Sequence, residues 1–198
     1  MIRFINQDNA TPYKIFKNLY DEAVEHSQEY IEAAAVSSFS YDDNIVDARF
    51  VNLKILYGNE FIFFTNYNSP KARQFKSHRQ VTIVIFWSSI NVQIRMRANI
   101  NKKDNLYNDN YFNSRKKEKN ALAISSMQSE EIESYDHVIE NYEKTISCKD
   151  LLRRPEYWGG FSFKPYYFEF WRGHDNRINQ RNIYEFKNET WKHKVVQP

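Results

Sequence analysis

The chain has 198 residues, a single-domain size, and its 28 Lys and Arg against 25 Asp and Glu leave a net charge of +3, too little to argue for a polyanion partner. Its 15 Phe, 14 Tyr and 4 Trp exclude a disordered chain and favour strands whose planar side chains can flank a flat ligand. The four glycines, Gly58, Gly159, Gly160 and Gly173, spell neither GxGxxG nor GxxxxGK[ST], which excludes the dinucleotide-fingerprint and P-loop phosphate cradles in their usual forms.

Thr11 and Pro12 read as an N-cap and first-turn pair, and Ile15, Phe16, Leu19, Tyr20, Ala23 and Val24 follow at helical spacing. One amphipathic helix is expected within an N-terminal segment over 1–28. Strands are expected over 33–39, 48–56 and 60–65, forming a meander with a tight turn at Gly58-Asn59 between the last two. Ser69 and Pro70 then mark the start of a short helix. Residues 80–87 are β-branched and aromatic, and 91–101 alternate, with Val92, Ile94, Met96, Ala98 and Ile100 opposite Gln93, Arg95, Arg97 and Asn99. A helical insertion covers 104–147, clearest at Ile132, Tyr135, Ile139, Tyr142 and Ile146; Ser129 and two glutamates supply cap and dipole complement, and the helix is expected to pack on the barrel. The C-terminal part, 150–198, returns to strands at 161–163, 166–171, 181–186 and 191–196, the last two turning at Asn188-Glu189. No linker or repeat divides the chain, so one α+β domain over 1–198 is expected, a mostly antiparallel barrel with flanking helices.

Cys148 stands alone, which rules out an intrachain disulfide, fits a reducing cytoplasm and reads as an inert thiol. His26, His78, His137, His174 and His193 show no paired ligand spacing, so no metal is expected. No signal peptide or membrane span is expected either.

Three constellations could carry chemistry. Lys71 and Arg73 fall in the first turn of the helix starting at Pro70, where the helix dipole disfavours cations, and a bound anion would resolve the conflict; two solvated surface cations are the alternative. Arg49 and Lys54 are five apart on one predicted strand, hence on opposite faces, and meet one ligand only if the strand is irregular. In the C-terminal third, Gly159-Gly160 beside Trp158 implies close backbone approach. Trp171 followed by Arg172, Arg177 and Arg181 suits either a flat anionic ligand or a core strand with a solvated loop. The run Arg115-Lys116-Lys117-Glu118-Lys119 reads as a solvated helix face, so nucleic acid is not expected.

Taken together these segments resemble one family. Arg49-Phe50-Val51-Asn52-Leu53-Lys54, the run 63–67, Phe86-Trp87, Gln93, Tyr111-Phe112 with Arg115, Gln128-Ser129, Arg154-Pro155 with Trp158-Gly159-Gly160, the run 169–173, and Arg177 with Arg181 are similar to the motifs of the pyridoxamine 5'-phosphate oxidases, from about Tyr13 to Pro198. The resemblance implies an FMN-binding split barrel, a homodimer with two sites at its interface, and FMN contacts at Arg49, Phe50, Val51, Asn52, Leu53, Lys54, Phe64, Thr65, Lys71, Gln93, Gln128, Ser129, Trp171 and Arg181. It assigns the substrate to Lys54, Tyr111, Arg115 and Arg177. The implied reaction passes a hydride from C4' of pyridoxamine or pyridoxine 5'-phosphate to the flavin, with dioxygen as final acceptor.

The departures fall mostly on the substrate side. Pro70 stands where the family has an Arg, Lys119 where it has a phosphate-binding Ser, and Asn179, two residues after Arg177, where it has a His. An amide cannot exchange a proton near neutral pH, so Arg177 and Asn179 are the catalytic candidates at an altered position. Two alternatives stay open: a member that keeps FMN and oxidises another small planar substrate, as the phenazine-pathway relatives do, and a non-catalytic binder of flavin or pyridoxal phosphate.

Overall fold

The alternating segments pair into one sheet of ten strands, and the segments with helical spacing lie outside it. The structure, a computed structural model, describes residues 1–198 except the side chain of Cys148, so the reading of that thiol as inert lies outside the described residues. In chain order the elements are β1 (Arg3–Ile5), α1 (Thr11–Glu25), β2 (Ala33–Ser40), β3 (Ile45–Asn52), β4 (Ile55–Tyr57), β5 (Glu60–Asn66), α2 (Pro70–Ser77), β6 (Gln80–Trp87) and β7 (Val92–Lys102). There follow α3 (Asn105–Asn113), α4 (Lys117–Ser125), α5 (Tyr135–Cys148), β8 (Trp158–Arg172), β9 (Gln180–Lys187) and β10 (Thr190–Val195). The strand order is β1-β4-β5-β8-β7-β6-β2-β3, with β9 on β8 and β10 on β9; only β1 with β4 is parallel.

Strand β8 decides the architecture. One edge pairs with β7 along 161–172, while the other is divided, 158–163 pairing with β5 and 167–172 with β9. The sheet forks along this strand, which makes it a split, mostly antiparallel barrel in an α+β fold. Pro165 stands at the fork, and the β7–β8 register shifts beside it, because a proline has no N–H to give to a ladder.

The core is aromatic. Phe16 from α1 meets Phe61 edge-on at 4.9 Å, Phe61 stacks on Phe163 at 5.3 Å, and the Trp87 indole N–H donates to the Ile31 carbonyl at 3.1 Å. Tyr13, Phe16, Tyr20 and Ala23 recur at helical spacing and form the buried stripe of α1, whereas Val24, expected on that stripe, is exposed. Among the described residues no helix is long and apolar enough to cross a membrane.

Several expected boundaries are corrected. Thr11 is the first helical residue of α1, with Ala10 as its N-cap, so the hydroxyl does not cap. The expected strand over 48–56 is two strands, because the chain leaves β3 after Asn52 and turns Leu53 into the core. The meander is interrupted too: β3 pairs with β2, and β4 with β5. Strands expected at 161–163 and 166–171 are one strand, continuous through Pro165. Ser129 is not a helix cap. It sits in a left-handed turn, α5 begins at Tyr135 under a Ser134 side-chain cap, and α5 packs on α4 rather than on the barrel, leaving Tyr135 and Ile139 exposed.

Gly159 and Gly160 are the close approach expected of them. A Cβ on Gly159 would lie 2.6 Å from Tyr67 Cζ and 2.7 Å from Asn108 Nδ2, and one on Gly160 would lie 3.0 Å from Phe64 Cε1. Gly159→Ala is therefore expected to overpack a site held by the Tyr67 ring and the buried Asn108 side chain, which hydrogen-bond to each other. The expected cost is about 1–3 kcal/mol, a loss of several degrees in Tm by calorimetry; an unchanged Tm would contradict this packing.

Candidate functional site

The chain that leaves β3 at Asn52 crosses beside β5, and together with α2 and the α3–α4 hairpin it bounds a cleft of about 760 Å³. Arg3, Lys54, Lys71, Arg115, Lys116 and Lys119 line it against one carboxylate, Glu32, which pairs with Lys54 at 3.3 Å. A concave surface with this charge excess attracts anions. Phe50, Val51, Asn52, Phe64, Thr65, Tyr111 and Gln128 also line it.

At the α2 side, Ser69 stands at the N-cap, but its hydroxyl donates to the Asn66 carbonyl at 2.7 Å and leaves this helix end without a side-chain cap. Lys71 follows two residues later, within the first turn, and is only 8% exposed. Its ammonium donates to Thr65 Oγ1 at 3.3 Å and, among the described residues, pairs with no carboxylate. Burial, reinforced by the Arg49 guanidinium, lowers Lys71 to about 8. Arg49 is itself held in place, donating to Val36 O at 3.2 Å, Ser38 Oγ at 2.6 Å and Gln74 Oε1 at 2.8 Å. Gln128 Oε1 accepts from Thr65 Oγ1 at 3.0 Å and from the Asn66 N–H at 3.3 Å, which ties the loop after α4 to the end of β5.

At the α3–α4 side, the missing side chain of Gly160 admits the Phe64 ring, which stacks on Tyr111 at 3.6 Å and on Trp158 at 5.2 Å. Buried Asn108 locks α3 there by donating to Tyr67 Oη at 3.0 Å and accepting from the Gly160 N–H at 2.8 Å. Arg115 lies 4.3 Å over the Trp158 ring, and its Nη2 donates to the Lys119 carbonyl at 3.1 Å. Its Nη1 is buried and has no partner, and burial pulls the guanidinium below its ordinary range. A buried guanidinium N–H beside a flat aromatic slab suits an anionic oxygen on a planar molecule.

The remaining expected residues lie elsewhere in the chain. Gln93, Trp171 and Arg181 are cross-strand neighbours on β7, β8 and β9, outside the cleft. Glu169, two residues before Trp171 and 3% exposed, accepts from Arg181 Nε at 2.9 Å and Tyr167 Oη at 2.9 Å, and also from Arg95. Burial pushes its carboxyl up, but the hydrogen bonds from Arg181, Tyr167 and Arg95 outweigh this and hold it below the usual range. Arg177 occupies a left-handed turn between β8 and β9, and the Asn179 amide oxygen accepts from the His174 N–H at 3.0 Å.

One chain thus gathers Phe50, Val51, Asn52, Lys54, Phe64, Thr65, Lys71, Tyr111, Arg115, Lys119 and Gln128, with Arg49 behind Lys71. It does not bring Gln93, Ser129, Trp171, Arg177, Asn179 or Arg181 to them. Arg73, expected beside Lys71, is exposed and donates to the Asn68 carbonyl at 2.6 Å, because helical positions two apart lie about 200° apart around the axis. The basic run at 115–119 is more than a solvated face, since Arg115, Lys116 and Lys119 all line the cleft. Sequence reasoning missed Arg3, Glu32 and Glu169. A lone glutamate inside the apolar run of β8 was the available signal for the last of these.

An ammonium with a lowered pKa is charged below that value and neutral above it, so the cleft should lose anion affinity as pH rises through 8. Sulfate, whose own charge is constant over this range, is expected to bind about tenfold more weakly at pH 9 than at pH 7, with Lys71→Met removing most of the difference. Calorimetric titration checks this, and affinity that rises with pH would contradict it.

Comparison with known proteins identifies the family and the fold. A family model described as the pyridoxine 5'-phosphate oxidase C-terminal dimerisation region matches residues 158–198. The pyridoxine/pyridoxamine 5'-phosphate oxidase 1 of Hydrogenovibrio crunogenus is 33% identical over 175 residues, 88% of this chain and 81% of that protein. The pyridoxine/pyridoxamine 5'-phosphate oxidase of Coxiella burnetii is 32% identical over 92% of this chain and 93% of its own. Among solved structures, PhzG from Burkholderia lata, in complex with tetrahydrophenazine-1-carboxylic acid, shares the fold with a TM-score of 0.89 at 21% identity, covering 94% of this chain and 92% of that one. A pyridoxamine 5'-phosphate oxidase-related, FMN-binding protein from Nostoc punctiforme gives 0.77 at 13% identity over 92% of this chain and 97% of that one. The chain belongs to the pyridoxine/pyridoxamine 5'-phosphate oxidase family.

Proposed function

We propose that the protein is an FMN-dependent oxidase that converts pyridoxamine or pyridoxine 5'-phosphate to pyridoxal 5'-phosphate with dioxygen as acceptor. The observation that carries this reading is a single cleft with two sets of cations and an aromatic slab. Lys71 and Arg49 come from α2 and β3, Arg115 and Lys119 from the α3–α4 hairpin, and Phe64, Tyr111 and Trp158 stack beside Arg115. Two phosphorylated, planar molecules match that arrangement. The buried Lys71 and the unpartnered Nη1 of Arg115 fit such ligands because each has hydrogen-bonding capacity that the protein leaves unused.

In this reading Arg49, Thr65 and Lys71 hold the FMN phosphate, and Phe50, Val51, Asn52, Lys54, Phe64 and Gln128 bound the rest of the cofactor, with Leu53 buried in the core and anchoring the backbone between them. FMN supplies the capacity to accept a hydride from the substrate carbon and to pass the electrons to dioxygen. Lys54, Tyr111, Arg115 and Lys119 hold the substrate phosphate. Trp158 and Phe64 keep water from one side of the cleft, and the fixed ammonium and guanidinium groups orient the substrate so that positioning does much of the work. Ser129 belongs to the same proposed set through its neighbour Gln128.

Gln93, Trp171 and Arg181 would complete the site from a second copy, together with Arg177 and Asn179. This homodimer is supported by the dimerisation-region match over 158–198 and by exposed apolar side chains near both groups, Phe50 at 77%, Ile178 at 64% and Phe86 at 54%. A cytoplasmic setting follows from the single cysteine.

One observation favours a second reading, in which FMN is kept and another small planar substrate is oxidised. The Asn179 amide oxygen accepts a hydrogen bond within its own loop, so the side chain offers a ligand only amide N–H donors and no titratable group. Asn179→His separates the two: a marked gain of pyridoxamine 5'-phosphate turnover supports the first reading, and little gain supports the second.

The direct test is the visible spectrum of the purified protein during anaerobic addition of pyridoxine 5'-phosphate. Flavin bands that bleach and return on admitting air are expected, whereas full FMN loading with no bleaching would reject this substrate. Arg115→Ala is expected to raise KM by roughly 10- to 100-fold, the cost of a charged hydrogen bond, with a smaller effect on FMN affinity.

A further inference from the structure

Glu169 is a carboxylate in the middle of the apolar strand β8, and burying a carboxylate is costly unless every oxygen is well partnered. Its partners converge from three strands. Oε1 accepts from Arg181 Nε at 2.9 Å and lies 2.7 Å from Arg181 Nη2, while Oε2 accepts from Tyr167 Oη at 2.9 Å and from Arg95. The third nitrogen of Arg181, Nη1, donates to the Gln197 carbonyl at 3.0 Å. Every nitrogen of the Arg181 guanidinium is therefore aimed by the protein. One oxygen of Glu169 sets two of the three directions.

We infer that Glu169 is a positioning residue: it fixes the Arg181 guanidinium on the sheet face next to Trp171, and thereby sets the affinity for FMN without touching the cofactor. The inference rests on the assignment of Arg181 to FMN made above. A guanidinium held in this way presents its two remaining N–H donors, one on each Nη, in a constant orientation, whereas a released arginine samples many rotamers before it can bind. Tyr167 Oη and Arg95 complete the carboxylate from the other side. Among the described residues both donate to Oε2 and neither hydrogen-bonds to Arg181, which uses Oε1, so the two halves of the network are separable by mutation.

A purely structural role, holding β7, β8 and β9 together, predicts a different outcome, and a double-mutant cycle tells them apart. The dissociation constant of FMN would be measured by flavin fluorescence on the full chain for Glu169→Gln, Arg181→Ala and the pair. Glu169→Gln is expected to weaken FMN about tenfold in the native background and less than about twofold in the Arg181→Ala background, because the residue acts through the group already removed. Tyr167→Phe is expected to leave FMN affinity within about twofold, since it breaks only the Oε2 side. Equal weakening by Glu169→Gln in both backgrounds, or none in either, would overturn the inference. FMN affinity unaffected by Arg181→Ala would overturn the assignment of Arg181 itself, which is a separate result. Should Glu169→Gln fail to fold, Glu169→Asp, which keeps the charge but withdraws it by one methylene, carries the same cycle with the same expected pattern.

Discussion

The molecule is organised around positive charge that the protein does not neutralise. Lys71 is 8% exposed, pairs with no carboxylate among the described residues, and faces the Arg49 guanidinium, which adds to the cost of keeping it charged. Burying such a group is unfavourable unless an anion shares the site. Arg115 repeats the arrangement on the opposite wall, with a buried Nη1 that lacks a partner. Most other buried ionic groups in the fold are paired. Arg154, for example, donates to Asp109 at 2.6 Å and to the Trp158 carbonyl at 2.7 Å, and Glu169 takes hydrogen bonds from three side chains. The contrast distinguishes groups committed to protein partners from the two cations that the proposed function gives to ligands.

Strand β8 connects the two halves of this design. Its first residues, Trp158 to Gly160, shape the aromatic wall of the cleft: the glycines let Tyr67, Asn108 and Phe64 approach the backbone, and Asn108 in turn fixes the helix that carries Tyr111. Its last residues carry Glu169 and Trp171 onto a different face, where they meet Arg95 and Gln93 on β7 and Arg181 on β9. A strand that changes partners along one edge at Pro165 can serve two sites because the single sheet forks there. In the proposed dimer, the second face of one copy completes the cleft of the other.

Much of this was legible in the sequence, for identifiable reasons. The helix start at Ser69-Pro70 and the close backbone approach at Gly159-Gly160 were both legible from local chemistry, while the anion that Lys71 would hold belongs to the proposed function. The conflict between Arg49 and Lys54 was real, and it disappears because the strand ends at Asn52, a boundary that alternation alone does not reveal. Arg73 shares a turn with Lys71 yet points away, since the buried face of α2 is chosen by the sheet beneath it. The stripe of α5 was visible as a period, but a period names no partner, and the helix rests on α4. Glu169 was the hardest to read, because the groups that justify it are 12 and 74 residues away along the chain. The family resemblance supplied what spacing could not, the expectation that residues which one chain keeps apart meet across a dimer.

The central claim is that each cleft is completed by residues of a second copy, and subunit mixing tests it most directly. Lys71→Ala and Arg181→Ala proteins, each a weak FMN binder alone, would be unfolded together, refolded and titrated with FMN. If the two residues serve one site from different copies, random mixing restores native affinity to about a quarter of the sites, those in mixed dimers that received both intact residues. Restoration of none, with each variant binding as it does alone, would contradict the account.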